Sequence, residues 1–231
     1  MTKIPKTIHY VWLGGKEKPK EIQRCMKTWK RLSGYEFKEW NEKNIDIDSH
    51  PFLKKAIEQK QWAFASDYIR AWAIYNYGGV YFDTDVIVIR TIDDLLNNRA
   101  FVGYETPEFP FTAVFGAEKH HPFVKDLLDY YDGRKIKYEF SDNNTISTSE
   151  ILINKYGCKL GDKEQILKTD IHVYPDGILC NPSPNSKTIH AFAKSWRKGL
   201  KKKDYILGQI RTRLTNRFKV RLYWWYRKIK R

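Results

Sequence analysis

Two aspartates separated by one residue, Asp83 and Asp85, stand inside an otherwise apolar segment that runs from Val80 to Ile89. If this segment is a single strand, residues i and i+2 point to the same side, so both carboxylates face one way. Burying two like charges close together is unfavourable unless a cation lies between them or one is protonated. Mg²⁺ and Mn²⁺ favour oxygen ligands and commonly bind one or two carboxylates together with phosphate oxygens. The pair therefore predicts a divalent-metal site; the solvated face of an edge strand is the alternative.

The segment before this strand is predicted to be a helix with a second pair of charges. Aromatic residues recur at spacings of four, four and three between positions 63 and 77, which is the periodicity of one helix face. The helix is expected to stop at Gly78 and Gly79. Asp67 and Arg70, three residues apart, lie on adjacent turns. They form a surface ion pair of little energetic value, or they project toward the two aspartates.

Other runs of apolar and aromatic residues predict strands that alternate with helices. The strands are expected at residues 7–13, 35–40, 80–89, 101–104 and 112–115, and the helices at 21–31, 51–60, 63–77, 122–131 and 149–156. This alternation is typical of an α/β domain with a mainly parallel sheet.

The positive charge of the chain is concentrated at one end. The 231 residues carry a net charge of +15, and residues 197–231 contain fourteen basic residues and one acidic residue. Residues 1–196 are therefore nearly neutral. This contrast predicts one domain over residues 1–196 and a separate basic tail over residues 197–231.

Apolar residues recur every three or four positions in this tail. They are Ile206, Ile210, Leu214, Phe218, Leu222, Trp225 and Ile229. A basic amphipathic helix with interfacial aromatic residues is typical of a segment that lies in an anionic membrane surface. A helix that packs this stripe on the domain is the alternative. Nucleic-acid binding is not expected, because no segment resembles a base-reading motif.

The composition bounds the class of protein. Hydrophobic residues make up 42% of the chain and aromatic residues 15%, which excludes wholesale disorder. Three scattered cysteines are too few for a disulfide framework or a thiolate metal site. No apolar run has the length of a signal peptide or a membrane span. We therefore expect a cytoplasmic protein, attached peripherally to the inner face of the cell membrane.

Three segments together resemble one protein family. The stretch from Ala65 to Val86 resembles the DXD-containing sugar-binding region of a glycosyltransferase family that includes bacterial capsule and exopolysaccharide sugar transferases and yeast α-mannosyltransferases, and more distantly the clostridial glucosylating toxins. The stretch from Ile4 to Trp12 is similar to the family's opening strand. His190, followed by Ser195 and Trp196, resembles its closing motif. The resemblance covers essentially residues 3–196.

The resemblance implies a GT-A fold, in which a Rossmann-like nucleotide-binding half and an acceptor half share one sheet. It also implies a nucleotide-sugar donor, a divalent metal that is usually Mn²⁺ with Mg²⁺ as the alternative, and retention of the anomeric configuration. Carried onto this chain, Trp12 would stack on the nucleotide base unless it packs in the core. Asp67 and Arg70 would hold hydroxyls of the donor sugar, Asp83 would contact ribose or sugar, and Asp85 would bind the metal.

The resemblance assigns the closing motif to the other side of the donor. His190, Ser195 and Trp196 would cover the metal and the diphosphate, so Ser195 and Trp196 join the donor-binding residues. The expected metal ligands are Asp85, Asp83 and His190. The expected catalytic residues are Asp67, Arg70, Asp83 and Asp85.

These features predict a metal-dependent retaining glycosyltransferase. It would transfer a hexose from a nucleotide sugar, in the first instance a UDP-sugar, to a lipid-linked saccharide in capsular or exopolysaccharide synthesis. Two alternatives remain open at this point. The segment from Phe82 to Val86 superficially resembles the first motif of haloacid-dehalogenase phosphatases, and a basic α/β protein could also serve as a membrane-binding or RNA-binding adaptor without enzymatic activity.

Overall fold

A mixed sheet of seven strands forms the centre of the computed structural model, which describes residues 2–135, 144–193 and 202–229. Its strands are β1 (Thr7–Val11), β2 (Glu36–Trp40), β3 (Gly79–Phe82), β5 (Ala100–Gly103), β6 (Val114–Ala117), β7 (Gln165–Leu167) and β8 (Ile171–Tyr174). Their order in space is β2-β1-β3-β6-β5-β8-β7. The predicted α/β class is confirmed.

The expectation of a mainly parallel sheet is wrong. Strand β1 runs parallel to β2 and β3, and β5 runs parallel to β8. The remaining pairs, β3 with β6, β5 with β6 and β7 with β8, are antiparallel. Strand β6 therefore reverses the direction of the sheet at its centre, and one-dimensional alternation of strands and helices does not report this reversal.

A second, two-stranded sheet lies beside the first. It consists of β4 (Val86–Val88) and β9 (Thr188–His190), which pair antiparallel with Val86 opposite His190. The single strand expected over residues 80–89 is thus two strands in two sheets. A turn at Asp83–Asp85 separates them, and the Val86 N–H donates to the Asp83 carbonyl oxygen at 3.0 Å.

Helices cover the sheets and extend to the end of the described chain. They are α1 (Lys20–Met26), α2 (Pro51–Glu58), α3 (Trp62–Tyr77), α4 (Pro122–Asp129), α5 (Asn144–Asn154), α6 (Asp176–Leu179), α7 (Lys202–Arg211) and α8 (Arg217–Ile229). Within the described residues, none of these helices combines the length and the apolar composition that a membrane crossing requires.

Strand β3 shows how both faces of the central sheet are covered. Val80 and Phe82 point into one hydrophobic cluster, whereas Tyr81 points into the other, which contains residues of α2, α3, α4 and α5. All three side chains are buried. Because side chains alternate between the two faces of a strand, a strand buried on both sides shows a continuous apolar run. The polar residues at the end of this run therefore stand out as candidate functional groups.

The tail of the chain forms two helices rather than one. Helix α7 ends at Arg211, and α8 begins at Arg217. Leu214 lies in the intervening segment and is buried with Val220 against Ile87 and Ile189, although the periodicity assigned it to the exposed stripe. The interruption between the two helices therefore coincides with the burial of this leucine against the two-stranded sheet.

Candidate active site

The two aspartates of the DXD motif lie in the turn after β3, where the central sheet ends and β4 begins. The Asp85 side chain is buried, and its Oδ2 accepts a hydrogen bond from the Ala193 N–H at 2.7 Å. The Asp85 carbonyl oxygen also accepts from the Ala191 N–H at 3.2 Å. The turn, not the alternation of one strand, brings the two carboxylates together.

Helix α3 contributes a buried guanidinium that joins two carboxylates. Arg70 Nη2 lies 3.0 Å from Asp67 Oδ1 and 3.0 Å from Asp83 Oδ1. The guanidinium stacks on the Tyr81 ring, with Cζ 4.5 Å from the ring centroid. Asp67 and Arg70 are both buried, so the interpretation of this pair as a surface ion pair is wrong. They project toward the DXD turn, as the alternative interpretation held.

The electrostatics of Asp67 differ from those of an exposed acid. Burial raises its pKa to about 7; Asp83 adds to this effect, while Arg70 and a hydrogen bond with Asn144 oppose it. A carboxyl group that titrates near neutral pH can donate a hydrogen bond as well as accept one. This property suits contact with the hydroxyl groups of a sugar.

Strand β9 delivers His190 to the DXD turn from a distant part of the chain. Its Nε2 lies 3.4 Å from Asp85 Oδ1. Although burial opposes protonation of His190, the Asp85 carboxylate raises the pKa of the imidazole well above its ordinary value. Burial likewise opposes ionisation of Asp85, but the charge and hydrogen bond of His190 and the Ala193 N–H hold the pKa of that carboxyl below its ordinary value. The two groups form a buried ion pair.

Asp83, Asp85 and His190, here called the DDH trio, offer three ligand atoms within 4.8 Å of one another. The structure therefore brings together the three side chains that the sequence nominated as metal ligands. Two carboxylates and one imidazole form a donor set suited to a borderline divalent cation. His190 Nδ1 is buried and has no hydrogen-bond partner among the described side chains and backbone. In a metal-bound imidazole this second nitrogen normally donates a hydrogen bond. The trio fits a divalent metal that replaces the proton on His190.

The remaining nominated residues fall at the edges of this site. Trp12 is half-buried just after β1; its Nε1–H donates to the Lys16 carbonyl oxygen at 2.6 Å, and Lys18 Nζ lies 5.3 Å from its ring centroid. It lies outside the core clusters of the described residues. Ser195 and Trp196 lie outside the residues that the structure describes, so their predicted contacts with the donor stay predictions.

Sequence reasoning missed two further charged residues that lie beside the DDH trio. Glu105 follows β5, and its Oε2 lies 3.9 Å from His190 Nδ1. Burial raises the pKa of Glu105 above its ordinary value. Arg211, interpreted from the sequence as part of a basic membrane surface, is buried and donates from Nη1 to the His190 carbonyl oxygen at 3.0 Å. An acid directly after a buried strand was the only sequence signal for Glu105, and none distinguished Arg211 from its basic neighbours.

The fold is α/β with a central mixed sheet, and it is structurally similar to the fold of GT-A glycosyltransferases. The structure resembles the solved structure of the PaToxG glycosyltransferase with a TM-score of 0.53 and 18% sequence identity, over 66% of this chain and 70% of the other. Residues 16–102 match the family described as glycosyltransferase sugar-binding region containing DXD motif. This is the family that the sequence resemblance predicted.

Curated relatives carry the names of sugar transferases. The chain is 30% identical over 142 residues to inositol phosphoceramide mannosyltransferase 3 of Schizosaccharomyces pombe, covering 59% of this chain and 40% of that protein. It is 23% identical over 208 residues to inositol phosphoceramide mannosyltransferase 1 of the same organism, covering 85% of this chain and 63% of the relative. A match of 32% over 77 residues to human alpha-1,4-N-acetylglucosaminyltransferase covers 33% of this chain and 22% of that protein. The chain thus spans less than two thirds of each of these relatives.

Proposed function

We propose that this protein transfers a hexose from a nucleotide sugar to a saccharide acceptor, with a divalent metal at the DDH trio. The observation that carries this proposal is the bridge that Arg70 makes between Asp67 and Asp83, directly beside Asp85 and His190. Asp67 and Arg70, which can hydrogen-bond to sugar hydroxyls, therefore lie next to the carboxylates and the imidazole that can bind a metal. The match of residues 16–102 to the DXD family supports the same assignment and implies a divalent metal. It favours a transferase over a phosphatase or a non-enzymatic adaptor.

In this proposal, Asp67 and Arg70 hold the hydroxyls of the donor sugar. Two carboxylates and the Tyr81 ring fix the position of the Arg70 guanidinium. A donor group fixed in this way can hydrogen-bond to the sugar in only one orientation of the sugar. The acceptor oxygen forms a bond to the anomeric carbon while the bond from that carbon to the diphosphate oxygen breaks. The departing diphosphate takes up the proton of the acceptor hydroxyl. Retention of configuration follows if both events occur on one face of the sugar.

The leaving diphosphate gains negative charge as its bond to the sugar breaks. A bound divalent metal stabilises that charge as a Lewis acid. We assign Asp83, Asp85 and His190 as its ligands and Mn²⁺ as the metal, because an imidazole among oxygen donors is less suited to Mg²⁺. The Ala193 N–H holds one Asp85 oxygen in place and leaves the other facing His190.

The donor and acceptor are inferred by analogy with the relatives. Their names include a mannosyltransferase that acts on inositol phosphoceramide and an N-acetylglucosaminyltransferase. We therefore propose mannose or N-acetylglucosamine as donor sugars beside the UDP-hexoses expected from the sequence. The acceptor is a lipid-linked saccharide, as in capsular or exopolysaccharide synthesis. Such an acceptor requires the enzyme to work at a membrane.

Helix α8 supplies a surface suited to that membrane. Four exposed apolar side chains, here called the α8 face, are Phe218, Leu222, Trp225 and Ile229. Lys and Arg residues on the same helix surround them, and each contributes roughly 1 kcal/mol near an anionic bilayer. We propose that the α8 face inserts shallowly into the cytoplasmic leaflet and attaches the enzyme peripherally. Val220, on the opposite side, fixes the helix to the domain.

The proposal is tested by hydrolysis of a donor panel: UDP-glucose, UDP-galactose, UDP-N-acetylglucosamine, UDP-N-acetylgalactosamine and GDP-mannose. Each is incubated with the protein and Mn²⁺ or with EDTA, and released nucleotide is measured. Asp85→Asn keeps the shape of the buried side chain and removes a ligand charge, whereas Asp48→Asn makes the same change at an exposed site far along the chain. We expect metal-dependent release from one donor, lowered by about 10²-fold or more in Asp85→Asn and unchanged in Asp48→Asn.

Some transferases hydrolyse no donor without an acceptor, so calorimetric binding of UDP and GDP with Mn²⁺ accompanies the panel. Binding of one nucleotide that requires Mn²⁺ and the Asp85 carboxylate supports the assignment even when hydrolysis is slow. Absence of both metal-dependent hydrolysis and metal-dependent nucleotide binding would overturn it.

A further inference from the structure

A cavity of about 280 Å³ lies between helix α7 and the segment that follows β5. It is here called the α7 cavity, and its lining includes Glu105, Asn181, Phe192, Leu207, Gly208 and Arg211. The last three residues belong to the basic tail, so the tail provides one wall of a cavity in the domain. A segment that served only to bind a membrane would not be expected to line a cavity of the domain.

Close contacts hold helix α7 at this wall. A Cβ placed on Gly208 would lie 2.9 Å from the Phe192 carbonyl oxygen, so only glycine permits this approach without a shift. Arg211 donates to the His190 carbonyl oxygen and to Asn181 Oδ1, and its Cζ lies 4.8 Å from the Phe192 ring centroid. Packing and hydrogen bonds therefore fix helix α7 against the segments that contain Asn181 and Phe192.

The α7 cavity adjoins the DDH trio through Glu105. Glu105, which lines it, lies 3.9 Å from His190 Nδ1, and His190 Nε2 lies 3.4 Å from Asp85. Asp67, Arg70 and Asp83 do not line it. A transferase must bring two substrates to one carbon, and the α7 cavity is a compartment beside the trio that Asp67 and Arg70 do not line.

The lining of the cavity matches the surface of a sugar. The Glu105 carboxylate can accept hydrogen bonds from hydroxyl groups, and the contact given for it within the described chain, to His190 Nδ1 at 3.9 Å, is longer than a hydrogen bond. Phe192 and Leu207 provide apolar contacts for the C–H groups of a pyranose ring. A few polar groups, here Glu105, Asn181 and Arg211, beside apolar side chains are typical of small-ligand sites.

We propose that the α7 cavity is the acceptor subsite, where one sugar unit of the acceptor binds with a hydroxyl directed at the DDH trio. This inference rests on the proposed function and assigns the second substrate of that reaction. It makes the basic tail part of the active site as well as a membrane contact. In donor hydrolysis a water molecule replaces the acceptor sugar, and water does not have to bind in the cavity. Loss of the subsite therefore lowers sugar transfer relative to donor hydrolysis.

Two tryptophan substitutions on one helix test the subsite. Leu207→Trp adds bulk inside the cavity, whereas Ile206→Trp adds the same bulk at the neighbouring position, which is outside the lining. The two side chains are 37% and 46% exposed, so neither change disrupts a core. The acceptor probes are octyl glucoside, octyl galactoside and octyl mannoside. Released sugar and octyl disaccharide are measured in the same reaction by mass spectrometry.

We expect Leu207→Trp to lower the ratio of transfer to hydrolysis by about tenfold or more, and Ile206→Trp to leave this ratio unchanged. Equal ratios in the two variants and the wild type would overturn the acceptor assignment. A parallel loss of transfer and hydrolysis in Leu207→Trp would also overturn it, because the cavity would then serve the donor.

Saturation-transfer NMR with the same three glycosides gives a result that does not depend on catalysis. We expect saturation of the sugar protons by the wild type and by Ile206→Trp, reduced severalfold in Leu207→Trp. Equal saturation by both variants, or none by the wild type, would overturn the subsite. The protein could bind the glycosides in this pattern, with weaker binding in Leu207→Trp only, and yet neither hydrolyse nor bind any donor. That result would support the sugar site and reject the proposed transferase reaction.

Discussion

At the scale of single residues, the site depends on polar side chains whose partners are fixed inside the protein. Arg70 is held by two carboxylates, and Asp85 by an imidazole and a backbone N–H. A buried charge that loses one such partner remains in a medium of low dielectric, which costs far more than the loss of a surface pair. The same principle applies away from the site, at His9 in strand β1.

His9 is a buried core histidine whose two ring nitrogens are both used. Trp40 Nε1 can only donate, so His9 Nδ1 accepts its hydrogen bond at 3.1 Å, and the proton on Nε2 is donated to the Gly78 carbonyl oxygen at 2.9 Å. Burial lowers the pKa of His9 to about 4, which Lys38 reinforces and the bond to Gly78 opposes. The folded protein therefore holds this ring neutral.

This arrangement predicts a pH dependence of stability. The pKa of His9 is lower in the folded chain than the ordinary 6.5 of the unfolded chain, so the unfolded state binds more protons as pH falls below 6.5. We expect His9 to contribute a loss of about 2 kcal/mol between pH 7.5 and pH 5. Urea unfolding at both pH values measures this loss.

His9→Gln removes the titrating group, so the difference between the two pH values should shrink by that amount. His172→Gln is the control, because His172 lies half-buried at the surface of strand β8. An unchanged pH difference in His9→Gln would contradict the prediction, whatever the variant's stability at neutral pH.

At the scale of elements, strand β3 is set tightly against β1 by one glycine. Gly79 has φ +104°, and a Cβ there would lie 2.7 Å from the Thr7 carbonyl oxygen and 3.0 Å from His9 Nε2. Both contacts are with groups that the sheet holds in place. The approach of the two strands, and hence the position of the DXD turn at the end of β3, depends on the absence of a side chain.

Gly79→Ala should therefore destabilise the protein by about 3 kcal/mol or more, from backbone strain together with overpacking. Gly34→Ala is the matched control: Gly34 has φ +77°, but no heavy atom lies within 4 Å of the added Cβ. Its cost should be only about 1–2 kcal/mol, from the left-handed backbone. Thermal unfolding compares the two variants, and equal losses would refute the steric argument.

The elements also show how far the sequence could be interpreted. Local patterns located most strands and helices, and the motif resemblance identified Asp67, Arg70 and His190 as partners of the DXD pair. The geometric argument from a single strand was wrong, because a turn and a change of sheet are not encoded in an apolar run of ten residues. Glu105 and Arg211 were missed because only tertiary packing brings them to His190.

At the scale of the whole molecule, the strong net charge and the exposed α8 face lie at the same end of the chain. Leu222 and Trp225 are 56% and 59% exposed, so their replacement removes little from the folded core. In the proposed membrane attachment, an anionic bilayer would attract the basic residues around them, and shallow insertion of the apolar groups would add a contribution that salt does not screen.

We expect Leu222→Glu with Trp225→Glu to lower binding to vesicles of phosphatidylglycerol and phosphatidylcholine by about tenfold or more. Co-sedimentation at two salt concentrations measures this loss, with circular dichroism as the check on folding. Ile166→Glu places one acid at a comparably exposed apolar position, 64% exposed on strand β7, and should retain binding apart from a small charge effect. Equal binding by the double variant and the wild type would contradict the membrane role of α8.

The pairing of β4 with β9 has a consequence for synthesis of the protein on the ribosome. Strand β4, Val-Ile-Val, is made about one hundred residues before its partner, a separation that slows folding. Until β9 leaves the ribosome, β4 is an unpaired apolar strand, which is the kind of edge that associates with other chains. His190 arrives with β9, so the same pairing that ends this exposure also completes the DDH trio. A nascent or prematurely terminated chain therefore lacks the third member of the DDH trio and leaves strand β4 without its partner.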